Sequence, residues 1–368
     1  MRRLVAGAHR WAGLMVGLYL SLVGITGAGL VAAPLLFAWE HDLPELPAER
    51  ARDQPVSLDI WVAKATARYG NLPTIESFNA PLATPLRIAA PTMMYSTMRD
   101  GEYVSGVIAV DPYSGEPLAH FIAHDSLSFW PLRLHMAMFL PYTVMWTFLA
   151  GSAWLLVALV LLGVWSLPRR PLRDNLRPEG LATASAMRQT HLALGLIASP
   201  LLLLAGLTGL LMTDKSLSNT ASTWLGATEL HHLAMPCDAT LAITPGAALS
   251  AALLRYPESE LGSLEKIDTG GFSVTLRRSA PSWPSRGDIG VTLDACGAVR
   301  TEARPGSMGN ALSQRIVDLH NGRVAGSLGE WLVAAAGLAL FALPSIAIAA
   351  WIRRRWASPR ATKQRCPE

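Results

Sequence analysis

Four stretches of this sequence carry no Asp, Glu, Lys or Arg, and their lengths limit what the chain can fold into. They run from Trp11 to Trp39, Leu134 to Pro168, Gln189 to Thr213 and Trp331 to Ile352. A helix needs about 20 apolar residues to cross a hydrocarbon core of about 30 Å. All four stretches reach that length, and buried soluble helices rarely run so far without charge. Charged residues make up 16% of the chain, against about 25% in an ordinary soluble domain. A fully soluble enzyme and a disordered chain are both excluded. The first stretch is too long for a cleaved signal peptide and others follow it, so it reads as a retained anchor.

The basic residues orient the spans. The segments 1–10, 169–188 and 353–368 hold 14 Lys and Arg against three acids, Asp174, Glu179 and Glu368. The long loops 40–133 and 214–330 hold the other 17 basic residues and 24 acids. By the positive-inside rule the three short segments face the cytoplasm and both long loops face outward. The net charge of +4 reflects this bias and points to no nucleic-acid partner. Trp11, Trp39, Trp130, Trp165, Trp331 and Trp351 stand at span ends, where an interfacial aromatic belt belongs. The organisation expected is therefore a transmembrane helix in each of 1–39, 134–168, 189–213 and 331–352. Outer domains fill 40–133 and 214–330, 169–188 is a cytoplasmic linker, and 353–368 is a cytoplasmic tail.

The sequence also repeats. HRWAGLMVGLYLSLVGITGAGL begins at His9 and HLALGLIASPLLLLAGLTGLLM at His191, 182 residues later. Counted from each His, small residues fall at +4 (Gly13, Gly195), +8 (Gly17, Ser199), +15 (Gly24, Gly206) and +18 (Gly27, Gly209). A Thr falls at +17 in both copies, Thr26 and Thr208. Leu134–His135 pairs with Leu319–His320, and Arg169–Arg170 with Arg353–Arg354. In the loops, a helical stretch at 58–69 corresponds to one at 245–256. GVIAVDPYSGEPLAHF and GVTLDACGAVRTE both read as β-hairpins: a β-branched run, Asp, a Gly-containing turn, then a second extended run. The fold expected is a mainly α membrane protein. It is a four-helix transmembrane bundle built from two tandem repeats, each carrying an outer α+β domain.

Four of the nine histidines lie at span ends, in repeat-related pairs: His9 with His191, and His135 with His320. At 100° per residue the four small positions fall within about 80° of the His direction. Such a face admits another helix or a flat cofactor. A lone His there ordinarily bonds a neighbouring helix; two repeat-related pairs favour a cofactor. Structural zinc takes four ligands, catalytic zinc takes three plus water, and copper sites usually add Cys or Met. Haem iron asks the protein for two axial ligands. The pairs thus point to two bis-His haems, non-covalent and of b type because no C-x-x-C-H is present.

On HRWAGL with ITG, HLALGL with LTG, the two LH pairs, LHNGR and VDPYSGEPL, the chain resembles the PepSY-associated transmembrane proteins over nearly its whole length. Within that family it is most similar to the di-haem inner-membrane ferric-siderophore reductases. The resemblance implies that His9, His191, His135 and His320 are haem ligands and that both outer domains are PepSY-like and periplasmic. It also implies reduction of a ferric siderophore, such as a ferrioxamine, with release of ferrous iron. The turn DACG replaces DPYSG in the second domain, which puts a shared role of the two turns in doubt. Gly13 and Gly195, one turn from the inner histidines, are expected at the cofactor. The cytoplasmic segments are too short for a nicotinamide or flavin domain, so the donor is a membrane quinol or a separate cytoplasmic protein.

Two other readings stand beside this one. PepSY-like modules also resemble peptidase-inhibitory segments, which would make the chain a membrane-anchored regulator of a partner protein. A di-haem protein could also serve another periplasmic acceptor. Of the remaining residues, Cys237 and Cys296 could pair in an oxidising compartment, while Cys366 stays reduced. His120, His124, His231 and His232 read as ordinary loop histidines, and Met93, Met94, Tyr95 and Met98 as strand packing.

Overall fold

The computed structural model describes residues 1–43, 54–81, 83, 88–99, 102–227, 229–231, 242–268, 270–278, 289–303 and 308–356. The chain divides into two compact units. One holds residues 1–31, 131–215 and 316–368, and the other 32–130 and 216–315.

The first unit is helical. Its long helices are α1 (Arg2–His41, which continues into the second unit), α4 (Tyr142–Trp165), α6 (Ala184–Thr213) and α10 (Gly326–Trp356). All four are long and apolar enough to cross a membrane. Shorter pieces are α3 (Trp130–His135), α5 (Leu172–Asn175) and the end of α9 (Met308–His320). Leu20, Leu156, Leu159, Leu202, Leu340 and Leu343 form the core between the long helices. Many other large apolar side chains face outward, among them Met15, Leu18, Trp154, Leu161, Ile197 and Leu338. A water-facing helix would not leave so much apolar surface bare; lipid accepts it. Small residues let backbones meet: a Cβ on Gly24 would lie 2.5 Å from the Gly337 carbonyl, and one on Gly337 2.6 Å from the Gly24 carbonyl.

The second charge-free stretch is not one helix, contrary to expectation. α3 ends at His135, Ala137 takes a positive φ of 50°, and α4 begins after Pro141. Proline has no N–H and a fixed φ, so it suits a helix start and not a helix interior. α4 has 24 residues, about 36 Å of helix, and still suffices to span.

In the second unit, α2 (Leu58–Tyr69), α7 (Lys215–Trp224) and α8 (Pro245–Arg255) accompany nine strands. These are β1 (Ile75–Asn79), β2 (Thr92–Arg99), β3 (Glu102–Val110), β4 (Pro117–Ile122), β5 (Glu229–His231), β6 (Ser259–Lys266), β7 (Phe272–Arg278), β8 (Ile289–Leu293) and β9 (Val299–Ala303). They form one sheet of order β4-β3-β2-β1-β6-β7-β8-β9-β5. The β1–β6 pairing joins the strands of the two long loops, so these loops share a sheet and a core. A single row of facing residues crosses seven strands: Ile108, Met93, Phe78, Leu264, Val274, Val291 and Glu302. All seven are buried. Leu58, Trp61 and Ala65 of α2 and Ala248 and Ala252 of α8 belong to the same core. Glu302, in this row, makes an ion pair with Arg255.

The helices at 58–69 and 245–255 start on side-chain caps from Ser57 and Thr244. Both expected hairpins form, β3–β4 and β8–β9. Their turns are built alike despite the different sequences. Asp111 accepts from the Tyr113 N–H at 2.9 Å, and Asp294 from the Cys296 N–H at 2.9 Å. Gly115 and Gly297 follow at φ 75° and 83°, a region closed to most side chains. Cys296 is disulfide-bonded; Cys237, His232 and Cys366 lie outside the described residues.

Candidate functional site

The first unit brings the four span-end histidines together in two pairs. His9 of α1 and His191 of α6 have ring centres 6.2 Å apart. His135 at the end of α3 and His320 at the end of α9 also stand 6.2 Å apart. The pairs lie at different levels of the bundle. His135 bonds at Val23, 14 residues along α1 from His9, or about 20 Å at 1.5 Å per residue.

Each ring is held by its Nδ1. His9 donates to the Leu159 carbonyl at 3.0 Å, His191 to the Leu343 carbonyl at 2.9 Å and His135 to the Val23 carbonyl at 3.1 Å. A carbonyl only accepts, so these three rings carry their proton on Nδ1 and their lone pair on Nε2. His320 Nδ1 lies 3.0 Å from Thr208 Oγ1, whose own proton goes to the Leu204 carbonyl at 2.7 Å. His320 is therefore also the donor. All four imidazoles offer Nε2 to a ligand, and the bond at the other nitrogen fixes the ring.

Glycines make room for these bonds. A Cβ at Gly163 would lie 3.1 Å from His9 Cε1, at Gly27 3.0 Å from His135 Cε1, and at Gly209 3.4 Å from His320 Cε1. Gly163 and Gly27 each sit four residues after the carbonyl that holds the ring, so the imidazole lies against a bare turn of helix. The small positions of the repeat thus divide. Those at +18, Gly27 and Gly209, lie against His135 and His320. Gly17 at +8 faces Pro344, and at +15 Gly24 faces Gly337 and Gly206 faces Val157. The +4 residues, Gly13 and Gly195, line the space beside His9 and His191, and Gly17 at +8 lines it too. Gly163 and the carbonyl acceptors were not foreseen from the sequence. A glycine one turn beyond an acceptor carries no mark of its partner 150 residues away.

That space is a cavity of about 820 Å³ lined by His9 and His191, within the size range of cofactor pockets. The donor sets test what it can hold. Among the described residues no cluster of three or more His, Cys, Asp or Glu is present, so a zinc site of the usual kind is not available. Two imidazoles bonded to one metal from opposite sides, at about 2 Å each, put their ring centres about 6 Å apart. Both pairs have that spacing, and the two neutral Nε2 donors suit haem iron, whose other four ligands come from the porphyrin. The residues present fit haem.

Two other histidines, His120 and His124, bond to the sheet. His120 Nε2 and Tyr95 Oη share a hydrogen bond at 2.7 Å, and His124 Nδ1 accepts from the Ser105 N–H at 3.4 Å. Partial desolvation holds His120 below the ordinary imidazole value. Met93 and Tyr95 are buried strand residues, with the Tyr95 ring lying over Gly106 across the β2–β3 pair.

A family model described as the PepSY-associated TM region matches residues 6–354. No curated protein matches the chain.

Proposed function

The chain belongs to the PepSY-associated transmembrane family, and we propose that it is a di-haem reductase of the bacterial inner membrane that delivers single electrons to a ferric siderophore in the periplasm. The observation that carries this reading is the pair of His–His couples, each 6.2 Å between ring centres, set at two levels of one membrane bundle.

His9 and His191 would hold one haem, and His135 and His320 the other. Bound there, haem iron would supply one-electron chemistry between its ferric and ferrous states at each level of the bundle. The chain supplies the rest. Backbone carbonyls at Leu159, Leu343 and Val23 keep Nδ1 protonated and raise the basicity of Nε2. Gly163, Gly27 and Gly209 let the rings come close to the helices. Leu20, Leu202, Leu340 and Leu343 keep the centre of the bundle apolar. The positive-inside bias puts both chain ends and 169–188 in the cytoplasm and the loops 40–133 and 214–330 in the periplasm. The two halves of the chain then read as tandem copies of helix, PepSY-like segment, helix.

A ferric ion in an oxygen cage gains one electron and becomes ferrous. The softer ion is held less well by hard oxygen donors and leaves the chelator intact. The electron enters from a membrane quinol or a cytoplasmic donor protein.

A reduced-minus-oxidised spectrum of the purified full chain, with haem counted per polypeptide, tests the cofactor. Two b haems are expected, and about one after either His9→Ala or His135→Ala. The loaded, reduced protein should then reduce ferrioxamine in step with its own reoxidation. A folded protein without haem, from haem-replete cells, overturns the reading in favour of a partner-binding regulator. A loaded protein inert to ferric siderophores leaves an electron carrier for another acceptor.

A further inference from the structure

The cavity beside His9 and His191 has a strongly cationic lining. Arg3, Arg10, Arg170, Arg188 and Arg354 line it, against one carboxylate, Glu179. All five arginines come from the helix ends near His9 and His191: the start of α1, the α4–α6 connection, the start of α6 and the end of α10. Five guanidinium groups around one mouth repel one another unless an anion joins them.

One of these arginines is fixed in place by neutral groups. Gln189 is buried, and its Nε2 donates to the carbonyls of Asp174 at 2.9 Å and Arg177 at 3.0 Å. That settles the amide orientation, so Oε1 is left to accept from Arg170 Nη2 at 2.5 Å. Asn175, also buried, accepts from Arg170 Nε at 2.8 Å. Two of the five N–H groups of Arg170 are thus spent on amides, which orient the guanidinium without neutralising it. The other three N–H groups are not used in these bonds. An oriented fork with its charge intact suits a carboxylate.

We propose that the arginine-lined mouth receives the two carboxylates of a haem seated between His9 and His191, with Arg170 as the preset anchor. This rests on the reading of that pair as a haem site. It assigns the haem edge: carboxylates toward the arginines, the apolar edge toward Leu20, Leu202 and Leu340 at the inner end of the cavity. Gln189 and Asn175 are positioning residues that act through Arg170.

The test uses the full chain carrying His135→Ala, so that the inner pair is the site under study. The protein is stripped and reloaded with haem or with haem dimethyl ester, whose carboxylates are blocked. Release to an excess of apo-globin is followed by absorbance. Haem should leave about ten times more slowly than the ester, the size expected for charge-assisted bonds to carboxylate. Arg170→Gln should speed haem release about tenfold while changing ester release less than twofold. Arg10→Gln, outside the amide network, should show the same selective loss to a smaller degree. General loosening of the fold would speed both ligands equally, so the haem-to-ester ratio isolates the contact. An unchanged ratio in both variants overturns the proposal and leaves the haem site standing. Failure of the folded chain to take up either ligand overturns the site and the proposal together.

Discussion

At the scale of single residues, the bond at the Nδ1 of each ring and the bare helix turn beside three of them define the candidate site. Gly163 shows how little room there is: its missing Cβ would already be 3.1 Å from His9. Gly163→Val adds two further carbons on that side and should displace the ring. We expect the haem count to fall from about two to about one, as in His9→Ala, with His9 still present. A full haem complement in Gly163→Val would show that the ring does not need its present seat. A second residue-scale prediction concerns His120, whose folded-state pKa lies below the ordinary value because of partial desolvation. As pH falls through the ordinary imidazole value near 6.5, the unfolded chain takes up the proton first. The contribution is therefore complete above that pH and lost as pH drops toward the folded value. The melting temperature of the β-sheet unit should decline between pH 7 and pH 5, and His120→Gln should flatten the decline. Equal slopes in both proteins would remove His120 as the cause.

At the scale of elements, local sequence and distant packing contribute differently. The helix at 58–69 and the two hairpins were legible because each depends on neighbours in sequence: a capping Ser57, an Asp that closes a turn, a glycine at positive φ. The break at Ala137 was masked, because an uncharged stretch looks continuous to a charge count whatever its backbone does. The order of strands was also not legible. Antiparallel β1–β6 pairing joins residues more than 180 apart, and each strand alone carries only its alternation. The row across the sheet includes one buried charge, and that supplies an element-scale prediction. Arg255 in α8 pairs with the fully buried Glu302 of β9. Removing the cation while the carboxylate stays buried costs about 3–5 kcal/mol. Arg255→Ala should lower the thermal stability of the sheet unit accordingly, and Glu302→Gln in the same chain should recover part of the loss. No change in melting would mean that Glu302 is satisfied without Arg255.

At the scale of the whole molecule, the question is orientation across the bilayer. Charge asymmetry predicts that the β3–β4 turn, with Ser114, lies outside, and that 169–188 lies in the cytoplasm. A membrane-impermeant maleimide should label Ser114→Cys in intact cells. It should label Ala182→Cys only after the membrane is opened. Labelling in the reverse order would invert the bundle and, with it, the direction of electron delivery proposed here.

The spans, their charge bias, the two hairpins and the four histidines follow from the sequence by itself. Each is a local property: the length of an uncharged run, a period of two, a residue type at a helix end. Tertiary structure alone decided which histidines meet at 6.2 Å, which carbonyl orients each ring, and which glycines seat a ring rather than pack a helix. It also decided that the strands of both loops share one sheet. Those outcomes depend on side chains and backbones brought together from positions 100 to 190 residues apart. A helix face records that something packs against it, but its partner is fixed only when the packed elements exclude every other arrangement.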